Sequence, residues 1–305
     1  MIQFLIYKAV IFIVHVLGRR RGYAFARFMA ERHYRSSPKD RQAVINNLQQ
    51  IQRTKSDVRP QARQVFYNFA EYLVDFFLMY KIVDRKFVAE HVRILGREHL
   101  EAAFARGKGV LLLTAHVGNW EMGAAVMNQM GYPVTAIALP HKSPLVNRLF
   151  NRQREAHGVN VIPSNTAVRR CMEALRKNRT VAVLGDRDFG SFGEPLSFCG
   201  RPTLIPKGAA FFALKTGAAI VPAFLIPDGK GEYTFQAYEM ILPPDGDRDD
   251  RVAELDLMKR YVEVIERQVR LDPTQWLMFR EFGIEYEDLS SDTRVQRGTG
   301  ARVSR

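Results

Sequence analysis

The sequence is short of the residues that build several common architectures. Among 305 residues there are two cysteines, Cys171 and Cys199. That excludes a disulfide framework and a Cys-x-x-Cys metal knuckle, and the pair reads as inert thiols of a reducing compartment. Acid is scarce as well: 32 Asp+Glu face 45 Lys+Arg, a net charge of +13. Such a surplus points to an anionic partner, and nucleic acid, an anionic membrane surface and a phosphorylated substrate all fit it. No internal repeat is visible. At 47% hydrophobic and 25% charged residues, the composition excludes a disordered, collagen-like or coiled-coil chain. A chain of this length buries a sizeable core, as one large domain or two average ones.

The familiar catalytic signatures are missing too. No Gly-x-Gly-x-x-Gly opens a helix, and there is no phosphate-cradling Gly-rich loop ending in Gly-Lys-Ser/Thr. A Gly-x-Ser-x-Gly elbow and His-Glu-x-x-His are absent as well. Asp188-Phe189-Gly190 copies three letters of a kinase signature without its glycine-rich or catalytic loop, so it is a coincidence. No nucleic-acid-binding pattern accompanies the basic charge.

What is present begins at the N-terminus. Residues 2–18 form a largely apolar run interrupted by Lys8 and His15, and Arg19-Arg20-Arg21 follow. About 17 residues is the lower limit for a spanning helix. On a helical wheel Lys8, His15 and Arg19 fall within about 40° of each other. The segment is therefore expected to anchor the chain, lying in the interface with its basic side on the headgroups. Crossing is the alternative, with the three arginines holding the rest of the chain on the cytoplasmic side. A cleaved signal peptide fits less well, because the arginines separate the apolar run from Ala24-Phe25-Ala26.

Residues 20–95 read as helical, with an aromatic stripe (Phe66, Phe69, Tyr72, Leu73, Phe76, Phe77, Tyr80) that marks core or interface. From residue 96 strands and helices alternate. GVLLLTA (109–115), VTAIALP (134–140), VNVIPS (159–164), TVAVLGD (180–186), AIVPAFLIP and YTFQAYEMIL read as strands. Helices are expected over 119–130, 143–157, 166–177, 206–217 and 250–270. The expected fold is α/β, a mostly parallel central sheet flanked by helices, with an N-terminal helical membrane-anchoring region. The expected organisation is an anchor over 1–22, a helical region over 23–95, a catalytic domain over 96–285 and a disordered tail over 286–305.

The best chemical constellation is His116-Val-Gly118-Asn119-Trp120-Glu121. His116 stands just past the carboxyl end of a strand, the edge at which open α/β sheets place their active sites. Glu121 falls in the first turn of the following helix. Gly118 permits a tight turn that can fold the carboxylate back onto the imidazole. Such a pair is a general base, and with no serine or cysteine beside it the attacking hydroxyl comes from a substrate. The competing reading is a histidine that merely satisfies a strand end.

His-x-x-x-x-Glu after an apolar strand resembles the signature of the lysophospholipid acyltransferase superfamily. The closer resemblance is to the bacterial lipid A late acyltransferases (the lauroyl/myristoyl transferases) and their relatives that acylate phosphatidylinositol mannosides. It runs through the apolar-then-basic N-terminus, Asn46-Asn47-Leu48, Asn68-Phe69 and TAHVGNWE. It continues through Phe150-Asn-Arg152-Gln-Arg154, Leu184-Gly185-Asp186-Arg187-Asp188 and a Phe198-Cys-Gly200-Arg201-Pro202 strand. Pro206-Lys-Gly208-Ala209-Ala210, Val221-Pro222-Ala223 and Pro273-Thr-Gln275-Trp276 complete it.

The resemblance implies an inner-membrane O-acyltransferase with its catalytic domain on the cytoplasmic side. It would move a fatty acyl chain from a thioester, on acyl carrier protein or coenzyme A, to a hydroxyl of a membrane glycolipid. No metal or cofactor is implied beyond that co-substrate. His116 would take the hydroxyl proton and Glu121 would orient it. Gly118, Asn119, Trp120, Arg152, Arg154, Asp186, Arg187 and Asp188 would bind substrate. Arg152 and Arg154 match a block that holds phosphate or assists the oxyanion, as a guanidinium fork can. They belong to a basic stretch with nine Lys+Arg (142, 148, 152, 154, 169, 170, 176, 177, 179) against two Glu (155, 173). Asp186-Arg187-Asp188 ends another strand. A metal site for a nucleotide-sugar transferase and a structural ion-pair network are its rival readings. Trp276 is followed by Leu277-Met278-Phe279-Arg280-Glu281-Phe282 rather than the histidine and basic-aromatic motif of the enterobacterial enzymes. The acceptor therefore stays open between a lipid A precursor, a phosphatidylinositol mannoside and another glycolipid. A lipid glycosyltransferase and a non-catalytic membrane-binding protein are the competitors from other classes.

Overall fold

The computed structural model describes residues 2–163, 167–188, 193–229, 231–244 and 250–283. The tail expected from residue 286, and Phe189 and Gly190, lie outside the described residues.

Three helices come first: α1 (Ile2–Ser36), α2 (Pro38–Gln52) and α3 (Arg59–Ile82). Prolines in the first turns of α2 and α3 occupy positions whose N–H has no intrahelical partner anyway. α3 is the spine of this layer. Its Phe66, Tyr72, Phe76 and Phe77 are buried, as the stripe's spacing requires, whereas Tyr80 is exposed.

α1 is not the continuous helix that the wheel assumes. Gly18 interrupts it with φ 69° and ψ 177°, a region of backbone space open essentially to glycine alone. The break resets the helical phase between His15 and Arg19, so the shared polar face does not form. Lys8 is exposed, but the His15 ring donates from Nδ1 to Ile11 O at 2.6 Å and accepts at Nε2 from the Tyr80 hydroxyl at 2.8 Å. Arg19 turns inward and meets Asp75 at 2.9 Å. Among the described residues no helix is long and apolar enough to cross a membrane. The spanning alternative is thereby corrected: charge and a backbone break divide the apolar run.

The remainder is an α/β sandwich. In chain order it comprises α4 (Arg85–His91), β1 (Val92–Leu95), α5 (Arg97–Ala105), β2 (Val110–Thr114), α6 (Trp120–Gln129) and β3 (Val134–Ala138). Then come α7 (Pro144–Glu155), β4 (Asn160–Pro163), α8 (Ala167–Arg176), β5 (Thr180–Leu184), β6 (Glu194–Phe198) and β7 (Arg201–Ile205). α9 (Gly208–Thr216), β8 (Ala219–Pro227), β9 (Tyr233–Ala237) and α10 (Asp250–Leu271) follow. Seven strands form one sheet in the order β1-β9-β8-β2-β5-β3-β4. The five from β8 to β4 are mutually parallel, and β9 turns back antiparallel to β8 with β1 alongside it. The expected mostly parallel sheet is thus present.

Two local expectations fail. Val92–Leu95, read as the end of a helical region, is the edge strand β1. Four residues of apolar and basic character do not distinguish the two. The segment Phe198–Pro202, read as a strand, is the tip of the β6–β7 hairpin, where Cys199 (φ 50°) and Gly200 (φ 83°) make the turn.

β2 explains the position of the site. Every residue in it is buried, because side chains alternate between two cores. Leu111 and Leu113 join the core beneath α8, α9 and α10, while Val110 and Leu112 join the one beneath α5, α6 and α7. A strand packed on both faces is fixed in place, and so is the residue that leaves its carboxyl end.

Candidate active site

β2 and its neighbour β5 run parallel with Thr114 opposite Leu184. Two residues further along each strand stand His116 and Asp186. The His116 ring donates from Nδ1 to Asp186 Oδ1 at 2.9 Å, and the His116 backbone N–H donates to Asp186 Oδ2 at 3.2 Å. The Asp186 side chain is 0% exposed and the imidazole 14%. Trp276 Nε1 donates to Oδ2 at 2.9 Å, and Arg187 Nε lies 3.6 Å from it. Burial on its own would raise the Asp186 carboxyl. The facing imidazole, its hydrogen bond, Arg187 and the indole N–H outweigh that and hold it well below the usual carboxylate range. An ionised carboxylate at Nδ1 fixes the ring's tautomer and orientation.

Glu121 does not fill that role, which corrects the expectation from spacing. Asn119 caps α6, its Oδ1 accepting from Met122 N at 3.0 Å. The helix therefore starts at Trp120, whose ring meets His116 edge-on at 4.9 Å and stacks on Tyr72 at 4.4 Å. Glu121 projects towards α7 instead. There Arg154 grips it bidentately, Nε to Oε2 at 2.8 Å and Nη2 to Oε1 at 2.5 Å. Both side chains are 12% exposed. Burial would lower the Arg154 pKa, but hydrogen bonding to Glu121 raises it on balance.

A cleft of about 800 Å³ opens over this edge, within the range of small-molecule sites. His116, Trp120, Glu121, Arg154, Arg187 and Asp188 line it. Its walls are otherwise largely apolar: Ala124, Ala136, Phe150, Val159 and Ala182 on the α6–α7 side, Leu113, Val183 and Ala209 on the α9 side. Of the remaining residues expected to bind substrate, Asp186 stands behind His116. Gly118 and Asn119 are turned away to shape the loop. Gly118 has φ 61°, and a Cβ there would come within 2.3 Å of Leu225 O. Arg152 is exposed on α7 outside the cleft lining.

Sequence reasoning missed Trp276 as a neighbour of the dyad, although the Pro273–Trp276 motif was visible. It also missed His141, a second histidine in the cleft lining, 4.6 Å from the Phe150 ring. Burial, then Arg154, depresses its pKa.

Residues 1–282 match the family described as bacterial lipid A biosynthesis acyltransferase. The chain belongs to that family. The enzyme is therefore an acyltransferase. It is 30% identical over 234 residues to the phosphatidylinositol mannoside acyltransferase of Mycobacterium tuberculosis, covering 75% of this chain and 71% of that one. It is 26% identical over 214 residues to the lipid A biosynthesis lauroyltransferase of Escherichia coli, covering 68% and 67%. Among solved structures, the 1-acyl-sn-glycerophosphate acyltransferase of Thermotoga maritima aligns with a TM-score of 0.36 and 15% identity, covering 81% of the acyltransferase and 96% of that chain.

Proposed function

We propose that the acyltransferase moves a fatty acyl chain from an acyl thioester to a hydroxyl of a membrane glycolipid, with His116 as general base. The observation that carries this reading is the His116–Asp186 pair, whose imidazole lines a mostly apolar cleft. With Nδ1–H committed to Asp186, Nε2 is the basic nitrogen. It takes the acceptor hydroxyl proton as the oxygen attacks the thioester carbonyl. The tetrahedral intermediate collapses with loss of the C–S bond, and the imidazolium returns its proton to the departing thiolate. Asp186 stabilises the imidazolium in between. Arg187, buried beside the cleft with an Nε that has no hydrogen-bond partner, supplies positive potential for the oxyanion. Each acyl methylene buried against the alanine-floored walls contributes about 0.8 kcal/mol.

The family and its named relatives support a glycolipid acceptor, and lipid A precursors and phosphatidylinositol mannosides both offer lipid hydroxyls to the cleft. Acyl carrier protein and coenzyme A share the donor thioester. The enzyme works at the inner membrane's cytoplasmic surface. Supporting this, α1 exposes Leu5, Ile6, Phe12 and Val16 to the outside, with Arg20 and Arg21 exposed just beyond.

The test is transfer of label from radiolabelled acyl carrier protein or acyl coenzyme A into lipid by the purified full chain. Parallel arms contain a lipid A precursor or a phosphatidylinositol mannoside. Labelled lipid in one arm that disappears with His116→Ala supports the reading and names the acceptor. Equal labelling by the wild type and His116→Ala refutes the mechanism.

A further inference from the structure

Three motifs shared with the family, around Asn47, Asn68 and Trp276, have no part in the chemistry above, yet the structure brings all three to one segment. Residues 274–282 leave the 3-10 turn after α10 and cross the loop that carries His116. Gly118 N–H donates to Gln275 O at 3.0 Å and Leu277 N–H donates to His116 O at 2.9 Å, with Val117 and Trp276 paired antiparallel. Arg187 Nη2 donates to Leu277 O at 2.5 Å. The segment thus ties the His116 loop to the Asp186–Arg187 loop across the sheet edge. Its far side is held by the helical layer. Asn68 Nδ2 donates to Thr274 O at 2.9 Å, and Asn47 Nδ2 donates to Arg280 O at 2.8 Å and Met278 O at 3.3 Å. Phe282 N–H returns to Asn47 Oδ1 at 3.2 Å.

We infer that Trp276 is the positioning residue of the His116–Asp186 dyad, and that 274–282 is a strap, anchored by Asn47 and Asn68, that holds the Trp276 N–H on the carboxylate. The reasoning is geometric. A carboxylate whose Oδ2 keeps only the longer 3.2 Å bond from the His116 backbone is freer to rotate about its Cβ–Cγ bond and lets the imidazole follow. Asp186 is held at both oxygens, and the second one accepts from the indole as well as from the His116 backbone. The indole itself is wedged between Phe198 at 5.5 Å and Phe282 at 5.3 Å, so the donor has little freedom to swing. Breaking a hydrogen bond to a buried charged group changes an equilibrium by roughly 10- to 100-fold.

This inference rests on the proposed general-base role, but its main readout does not need turnover. The experiment uses full-length protein labelled with ¹⁵N-histidine. The His116 ring is assigned by difference against His116→Gln, and its nitrogens are read with the ring neutral. The wild type shows one tautomer, protonated at Nδ1. Trp276→Phe keeps an aromatic ring in the core and removes the N–H. It is expected to average the two ring-nitrogen shifts and to lower kcat roughly 10- to 100-fold with KM little changed. Unaltered shifts and an unaltered kcat in Trp276→Phe overturn the inference and leave Trp276 as core packing only. If Trp276→Phe does not fold, Asn68→Ala loosens the strap from the opposite side. Partial averaging there supports the inference, and wild-type shifts overturn it. A wild type with the single tautomer but no acyl transfer refutes the proposed function while leaving the clamp intact.

Discussion

Two buried aspartates organise this molecule, and they do opposite things. Asp186 joins β5 to β2 through His116 and Trp276 at the edge of a cleft of about 800 Å³. Asp75, on α3, joins α1 to β9 through Arg19 and Tyr23 (2.9 and 2.6 Å) and the Tyr233 hydroxyl, beside a cavity of about 20 Å³, room for one water. Both carboxylates are nearly inaccessible and fully hydrogen-bonded. They differ in their partners. Around Asp75 the protons are locked: burial and then Asp75 push the Tyr23 and Tyr233 hydroxyls far above their usual range, and Arg19 stays cationic. Around Asp186 the partner is an imidazole that lines the cleft. Buried charge marks a strut where every partner is locked, and a catalytic centre where one partner is an imidazole facing a cleft large enough for a substrate.

The largest expected effect separates the two. Asp186→Asn lowers acyl transfer of the folded protein by about 10³- to 10⁴-fold through the wrong imidazole tautomer. Asp75→Ala leaves the Arg19 charge unpaired and lowers stability by about 3–5 kcal/mol, while kcat of the folded fraction stays near wild type. Urea unfolding and steady-state kinetics on both variants check this. A catalytically dead, fully stable Asp75→Ala would erase the distinction.

A smaller effect is expected at Glu121, which holds Arg154 rather than His116. Glu121→Gln is expected to reduce kcat/KM by about 10- to 100-fold, the worth of a charge-assisted hydrogen bond. A double-mutant cycle should show strong coupling between Glu121 and Arg154 and near-additivity between Glu121 and Asp186. Ala182→Leu adds bulk to the cleft floor. Overpacking of about 1–3 kcal/mol should fall on long acyl donors and spare short ones, a shift visible in kcat/KM across a donor series.

The least pronounced effect is the response to acid. The Asp186 carboxyl is depressed in the folded state, so its contribution to stability is complete above the ordinary carboxylate pKa of about 4. It is lost as the pH falls towards the folded value. Asp186→Asn removes that increment, and the Tm of the variant should drop less steeply between pH 5 and 3 than that of the wild type.

Much of this arrangement was legible in the sequence, and the gaps have physical causes. The short apolar run of β2 read as a buried strand, which placed His116 at the active edge. The glycine stop of α9 at Gly217 was readable from backbone chemistry alone, whereas its start lies at Gly208, two residues past the proline expected to open it. The partner of His116 was not. Spacing suggested Glu121, five residues on, whereas the true neighbour is 70 residues away and is fixed by the pairing of Thr114 with Leu184. Local sequence carries no such register. Arg19 was misread for a related reason: a wheel drawn through Gly18 assumes a continuous helix, and the break there turns the arginine towards Asp75. The role of Trp276 was likewise hidden, because a tryptophan after α10 shows its chemistry only once the segment is folded across the His116 loop.

The central claim is that Asp186, and not Glu121, is the carboxylate that makes His116 a base. Single-turnover acyl transfer at saturating donor and acceptor, compared between Asp186→Asn and Glu121→Gln, tests it most directly. The account predicts that the asparagine variant is slower than the glutamine variant by at least an order of magnitude. A glutamine variant as slow as His116→Ala, beside an asparagine variant close to wild type, would contradict it.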